Sequence, residues 1–212
     1  MIFSKKFGVI FFIPPLIVIL LNSCDLIYRT CFGIKKEKSY IDISVIKKFA
    51  KKNEIDTFYT IKGGYNQLYI ENYRKSNDFF QPLQVRIYDS ENDSMIGIIV
   101  NCKVGGFPNL TWNRYGFFDS LPPKKIIRYD SLTTFKSDKN YLRNIVLKDS
   151  LYYPLTKQKR YTVLVYFSYY MNKQSKRLIE LVRESYSKYD NVKIEYINSD
   201  RLLTKIKYPD DK

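Results

Sequence analysis

The thiols come first, because the chain offers little else for chemistry: Cys24, Cys31 and Cys102 are its three cysteines, and it has no histidine. Without imidazole neither a Ser-His-Asp nor a Cys-His arrangement can be assembled, and the histidine-ligated zinc sites of hydrolases go with them. Three cysteines cannot complete a four-cysteine metal site, so neither a metal nor a cofactor is expected. Carboxylates remain. Asp89, Glu91 and Asp93 cluster in the turn DSENDS, but an EF-hand loop needs Gly at its sixth position and Glu at its twelfth. Ser94 and Val100 stand there, and a plain polar turn is the better reading. The pair Gly105-Gly106 fits neither the GxGxxG spacing nor the Walker lysine pattern of phosphate loops. The chain is therefore not expected to be an enzyme. The alternative is carboxylate catalysis by acids such as Glu91, Asp119 and Asp130, or redox chemistry of Cys31 and Cys102.

Which compartment these thiols occupy depends on the opening of the chain. Lys5 and Lys6 precede a run of 15 uncharged, mostly apolar residues from Phe7 to Leu21. A spanning helix needs about 20 such residues. Pro14 and Pro15 also break the middle of the run, each removing a backbone donor and clashing with the preceding turn. A transient export segment tolerates both defects. The sequence Leu21-Asn22-Ser23-Cys24 resembles the lipobox of bacterial lipoproteins, in which an aliphatic residue and two small ones precede the cysteine that is lipidated and becomes the new N-terminus. The resemblance implies a signal peptide over residues 1–23, lipidation of Cys24 and a membrane-anchored, extracytoplasmic protein on the periplasmic or cell-surface side. The alternative is an uncleaved N-terminal signal anchor, with Cys24 an ordinary thiol at the membrane edge. Both leave the remainder exported, with Lys5 and Lys6 held inside. In an oxidising compartment Cys31 and Cys102 could form a disulfide; the other reading is two unpaired thiols.

Removal of residues 1–23 leaves 189, enough for one domain with a real core, and lowers the formal charge from +15 to +13. Twenty Tyr and 14 Phe are too many for a disordered tether. The positive charge concentrates anionic partners near the chain. An abundance of Lys, Ile, Asn and Tyr together is also what a low-GC coding sequence yields with no such partner.

Residues 24–40 read as a lipid-proximal connector, 41–206 as a single α/β domain and 207–212 as a polar tail. Lys35, Lys36 and Lys38, with Lys47, Lys48, Lys51 and Lys52, form a basic stripe near the anchor, worth about 1 kcal/mol per residue against an anionic membrane surface. A solvated helix face accounts equally well for the last four. Ser44 can cap a helix to about Asn53 whose inner side is Val45, Ile46, Phe49 and Ala50. Asp56–Lys62 reads as a strand and Tyr65–Ser76 as a helix. Leu83–Asp89 and Met95–Cys102 form a hairpin with Leu83, Val85 and Ile87 alternating against Gln84, Arg86 and Tyr88. Ile126–Tyr129 suggests a short strand and Asp138–Lys148 a helix. Between these, Gly105–Lys125 is irregular and rich in rings. Trp112, Arg114, Tyr115 and Phe117 there form either a recognition surface or a cap on the sheet, the second being the plainer reading.

The last third is the clearest. Tyr161–Phe167 (YTVLVYF) is a continuous apolar run, as a strand buried on both faces requires. Met171–Lys188 follows as an amphipathic helix with Leu178, Leu181, Val182 and Ser185 inward, and Val192–Ile197 (VKIEYI) closes a βαβ unit of parallel strands. VLVYFSYYMNKQSKRL, Val163–Leu178, resembles the first strand and active-site helix of thioredoxin-like proteins. QPLQVRIYDSENDSMIGIIVNCKVGG, Gln81–Gly106, resembles their proline-led hairpin, with Pro82 at the family's cis-proline. In the family that hairpin follows the βαβ unit, so a variant or permuted sandwich is implied. Asn172 and Ser175 stand at the two redox positions, and neither can form a thiolate or a disulfide. The whole chain is also similar to small uncharacterised bacterial lipoproteins with such degenerate C-terminal ends.

The expected fold is therefore α/β, a mixed sheet with one parallel βαβ unit and one antiparallel hairpin. The expected role is non-enzymatic binding or scaffolding at the bacterial cell envelope. The lipid membrane and an anionic envelope component or protein are the expected partners, rather than nucleic acid.

Overall fold

The computed structural model describes residue 30 and residues 32–61, 82–92, 94–100, 111–124, 146–147 and 159–207. In chain order these form β1 (Tyr40–Asp42), α1 (Ile43–Lys52), β2 (Tyr59–Ile61), β3 (Gln84–Asp89), β4 (Ser94–Val100) and β5 (Val146–Leu147). Then come β6 (Tyr161–Phe167), α2 (Asn172–Tyr186), β7 (Val192–Asn198), a 3-10 turn (Asp200–Leu202) and β8 (Lys205–Lys207). Cys24, Cys31, Cys102, Asp130 and the helix expected at Tyr65–Ser76 lie outside the described residues, as does the strand expected at Ile126–Tyr129. Among the described residues, no helix is long and apolar enough to cross a membrane.

The chain is an α/β protein with a mixed sheet ordered β4-β3-β6-β7-β2-β5 and a separate pair, β1-β8. Strands β6 and β7 are parallel, in register from Tyr161 opposite Val192 to Phe167 opposite Asn198. β7 and β2 are also parallel. The hairpin β3–β4 joins the other side of β6, with β3 antiparallel to both neighbours. The expected βαβ unit and hairpin thus lie in one sheet, side by side.

Strand β6 is buried at all seven positions, as its unbroken apolar run requires of a strand with neighbours on both edges and layers on both faces. β3 departs from its sequence pattern. The alternation places Gln84, Arg86 and Tyr88 toward solvent, yet all six residues of β3 are buried. As an inner strand between β4 and β6 it is buried on both faces, and its polar side chains interact within the sheet: Arg86 Nε donates to Gln84 Oε1 at 3.1 Å and its guanidinium lies 5.4 Å from the Tyr166 ring centroid.

The helices begin near their expected positions. Asp42, rather than Ser44, caps α1, accepting from the Ser44 N–H at 2.7 Å. Hydrogen bonding from the Ser44 side chain, and then from its N–H, holds the Asp42 carboxyl below its ordinary value. An aspartate two residues before the serine satisfies the same orphan donors, so the helix starts earlier and buries Ile43, Ile46, Phe49 and Ala50. α2 buries Gln174, Ser175, Leu178, Ile179, Val182 and Tyr186. Its inner face is turned from the expected one, leaving Leu181 and Ser185 half-exposed. Of the helix expected at Asp138–Lys148, Val146 and Leu147 instead form β5, opposite Ile61 and Thr60 of β2, and the rest lies outside the described residues. Backbone pairing to an exposed strand edge has overridden the local helical period there.

The core runs from α1 across β6 to α2. Phe49 stacks on Phe167 with centroids 6.2 Å apart, and Phe58 meets the same ring edge-on at 5.5 Å. Phe118 packs on Tyr186 at 6.0 Å. The loop Thr111–Lys124, which contains a cis Leu121-Pro122 bond, thus contributes rings to the core.

Candidate anion-binding site

The C-terminal ends of β6 and β7 define where side chains can be held rigidly, and the polar residues of this sequence gather there. Ser168 follows β6 directly, and Asp200 opens the turn after β7. Asp200 is fully buried, and its carboxylate accepts from Ser168 Oγ at 2.5 Å, Asn198 Nδ2 at 2.7 Å and the Tyr169 N–H at 2.9 Å, with the Tyr170 N–H longer at 3.4 Å. Burial pushes the Asp200 carboxyl above its ordinary value, against the lowering effect of these donors. The chain between β6 and α2 is in this way wrapped around one carboxylate.

Ser175, at one of the degenerate redox positions, belongs to the same knot. Its hydroxyl donates to the Ser168 carbonyl at 2.6 Å and accepts the Ser168 N–H at 3.0 Å, buried from solvent. Asn172, at the other position, has φ of +20° at the first position of α2. The pair is a hydrogen-bonded latch plus a half-exposed corner, with no group able to transfer electrons. Pro82 adjoins the same region, its carbonyl accepting from Ser199 Oγ at 2.6 Å.

The knot fixes the start of α2, and two other segments close on it. The stretch read as a lipid-proximal connector is built into the fold from Phe32 onward. Gln174 Nε2 donates to the Phe32 carbonyl at 3.2 Å, the Lys35 N–H to the Tyr170 carbonyl at 2.8 Å, and the Lys38 N–H to the Tyr170 hydroxyl at 3.4 Å. Gly33 permits this approach. Its φ is +65°, and a Cβ there would stand 2.4 Å from Cβ of Lys173. On the other side, Arg183 of α2 pairs with Glu54 and donates to the Asn53 carbonyl at 2.6 Å, holding the end of α1 in place.

Between these three segments lies a cavity of about 390 Å³ whose wall carries Lys35, Lys48, Lys52, Lys173 and Lys176, with Phe49, Asn53 and Asn172 among the other lining residues. Lys35 Nζ sits 3.4 Å from the centroid of the Tyr169 ring, and Lys176 pairs with Glu180 at 3.5 Å on the exposed face of α2. Among the described residues, Glu180 is the one acidic side chain paired with any of these five cations. Each ammonium within about 4 Å of a unit negative charge gains about 1 kcal/mol even at the dielectric of water, so a multivalent anion in this cavity collects several such terms.

Lys35, Lys48 and Lys52 belong to the basic stripe read from the sequence, but Lys173 and Lys176 do not. No sequence period links segments so far apart in the chain, and only the fold brings them together. On the aromatic loop, burial favours the plainer reading of a cap on the sheet over a recognition surface. Trp112 is only 2% exposed and cannot present its ring to a partner, and Phe117 packs partly against the core. Of the aromatic loop, Tyr115 and Arg114 are exposed, with the guanidinium carbon 6.0 Å from the Tyr115 ring centroid. Asp89 closes its own turn, accepting from the Glu91 N–H at 3.0 Å and Asn92 Nδ2 at 2.8 Å. Glu91 pairs with Arg160, and Asp119 accepts from Asn113 Nδ2. Among the described residues no group of acids, cysteines or histidines could hold a metal ion.

No family model, no curated protein and no solved structure matches this chain.

Proposed function

We propose that the chain is an exported bacterial lipoprotein, anchored in the membrane through Cys24, whose α/β domain is a non-enzymatic binding module for an anionic component of the cell envelope. The observation that carries this reading is the docking of residues 32–38 into the wall of the lysine-lined cavity. Gly33 follows Cys24 by nine positions, and a chain of that length spans at most about 30 Å. An acyl chain on Cys24 therefore keeps the cavity near the bilayer surface, where anionic headgroups and envelope polymers are concentrated. The sheet is, in this reading, a permuted thioredoxin-like one. The order β4-β3-β6-β7-β2 and the contact of Ser199 with Pro82 support it, and Asn172 and Ser175 leave it without dithiol chemistry.

Phase partition tests the anchor. The native protein should enter the detergent-rich phase of a clouding detergent, and a chain beginning at Asp25 should remain in the aqueous phase. Recovery of the native protein in the aqueous phase would refute the reading.

A further inference from the structure

We propose that the cavity between the Gly33 segment, α1 and α2 is a phosphate-binding site, taking a phosphate ester whose organic part rests against Phe49. The proposal deepens the binding role just described and rests on it for the ligand's source, not for its chemistry. Three features of the site select the ligand class.

The first is charge. Lys35, Lys48, Lys52, Lys173 and Lys176 come from three separate segments and line one space. Crowding of like charge on separate elements is unfavourable in the empty site and is relieved by a compact multivalent anion. The second is donor geometry. The lining contains lysine and no arginine. A planar guanidinium fork makes fixed two-point contacts with carboxylate or phosphate alike, whereas ammonium groups act as rotatable point donors that can approach a tetrahedral oxyanion from several directions. The third is size and rigidity. The volume of about 390 Å³ exceeds what a bare phosphate fills and leaves space for an attached group beside Phe49. The walls are held by the Arg183–Glu54 pair, by the Lys35 and Gln174 hydrogen bonds and by the knot around Asp200, so the segments that carry the lysines are fixed before binding.

The same phosphate chemistry could come from a soluble ester or from a lipid headgroup. The lysines of α1 supply an internal control. Lys48 and Lys52 line the cavity, whereas Lys47 and Lys51, on the same helix, are exposed and do not. The variants K48Q/K52Q and K47Q/K51Q lose the same charge from the same helix at exposed positions, so neither is expected to perturb folding.

The test uses the full mature protein, purified in detergent. Calorimetric titration with inorganic pyrophosphate and with glycerol 3-phosphate supplies the soluble arm, citrate the carboxylate control, and detergent micelles doped with phosphatidate the lipid arm. Saturable phosphate binding should weaken by about tenfold or more in K48Q/K52Q, from the loss of charge-assisted hydrogen bonds, and by less than about threefold in K47Q/K51Q. Binding of the doped micelles alone, with the same lysine dependence, supports the site and assigns it to a lipid headgroup. Equal losses in the two variants, citrate binding as tight as the phosphates, or no binding in either arm overturns it. A chain that binds phosphate with this pattern yet partitions into the aqueous phase would keep the site and lose the anchor; an anchored chain that ignores phosphate would do the reverse.

Discussion

Replacing Asp200 by alanine removes the acceptor around which the β6–α2 corner is built, and its effect can be worked from the contacts. Four donors point at this carboxylate. Tyr170 N–H has Ser168 Oγ at 3.1 Å as a second acceptor, and the Ser168 hydroxyl can rotate. Asn198 Nδ2 and the Tyr169 N–H lose their acceptor, the first in a buried position and the second in a half-buried one. A buried donor left unsatisfied costs about 1–3 kcal/mol, and relief of the carboxylate's own burial offsets part of that sum. D200A should therefore lose about 3 kcal/mol at pH 7, read as a shift of the urea midpoint with an unchanged slope. The pH dependence carries a sign. Because burial raises the Asp200 carboxyl above its ordinary value, the folded state holds this proton to higher pH than the unfolded chain does. The stability linked to that proton is complete below the unfolded value of about 4 and is lost as pH rises through the folded value. The gap between wild type and D200A should thus be wider near pH 4 than at pH 7. A loss below about 0.5 kcal/mol, or a gap that widens with rising pH, would show that the carboxylate does not organise the corner as described.

Three further outcomes follow from the same contacts. Gly33→Ala should free the segment from Phe32 to Lys38, since its Cβ would collide with Lys173. The expected result is a loss of at least about 1 kcal/mol locally, seen as faster hydrogen exchange at Lys35 and Lys38 with the sheet unchanged. Ser175→Ala should cost about 1–2 kcal/mol in urea denaturation by leaving the buried Ser168 N–H without its acceptor, while Ser175→Cys should produce no disulfide-reductase activity, because Asn172 supplies no second thiol. Trp112 is the chain's single tryptophan and is buried. Its emission should be blue-shifted and resistant to iodide, and Trp112→Ala should destabilise by about 3–5 kcal/mol.

The elements most legible in the sequence are those whose local pattern and tertiary environment agree. YTVLVYF is apolar at nearly every position and is buried at every position, and VKIEYI follows α2 as its parallel neighbour. Arg86 and Gln84 mislead because alternation assumes one wet face, and a central strand has none. Val146 and Leu147 mislead because two residues pairing with a strand edge leave no period of their own. The site is half legible. The basic run near the N-terminus is plain in the sequence, and so are the lysines of α2, but that these meet depends on the hydrogen bonds from residues 32–38 to Tyr170 and Gln174. Gly33 is the one local trace of that contact. The rings of the aromatic loop carry the opposite lesson: Trp112 and Phe118 serve the core, while Tyr115 and Arg114 are exposed.

The proposed anchor would place the basic cavity at a membrane, so the most direct measurement is the intact mass of the native protein extracted from membranes, beside a Cys24→Ser variant. The proposed lipoprotein gives a wild-type chain lacking residues 1–23 and carrying added acyl mass on Cys24, and a variant that retains its leader. A wild-type chain with its first residues intact and no added lipid would contradict the account.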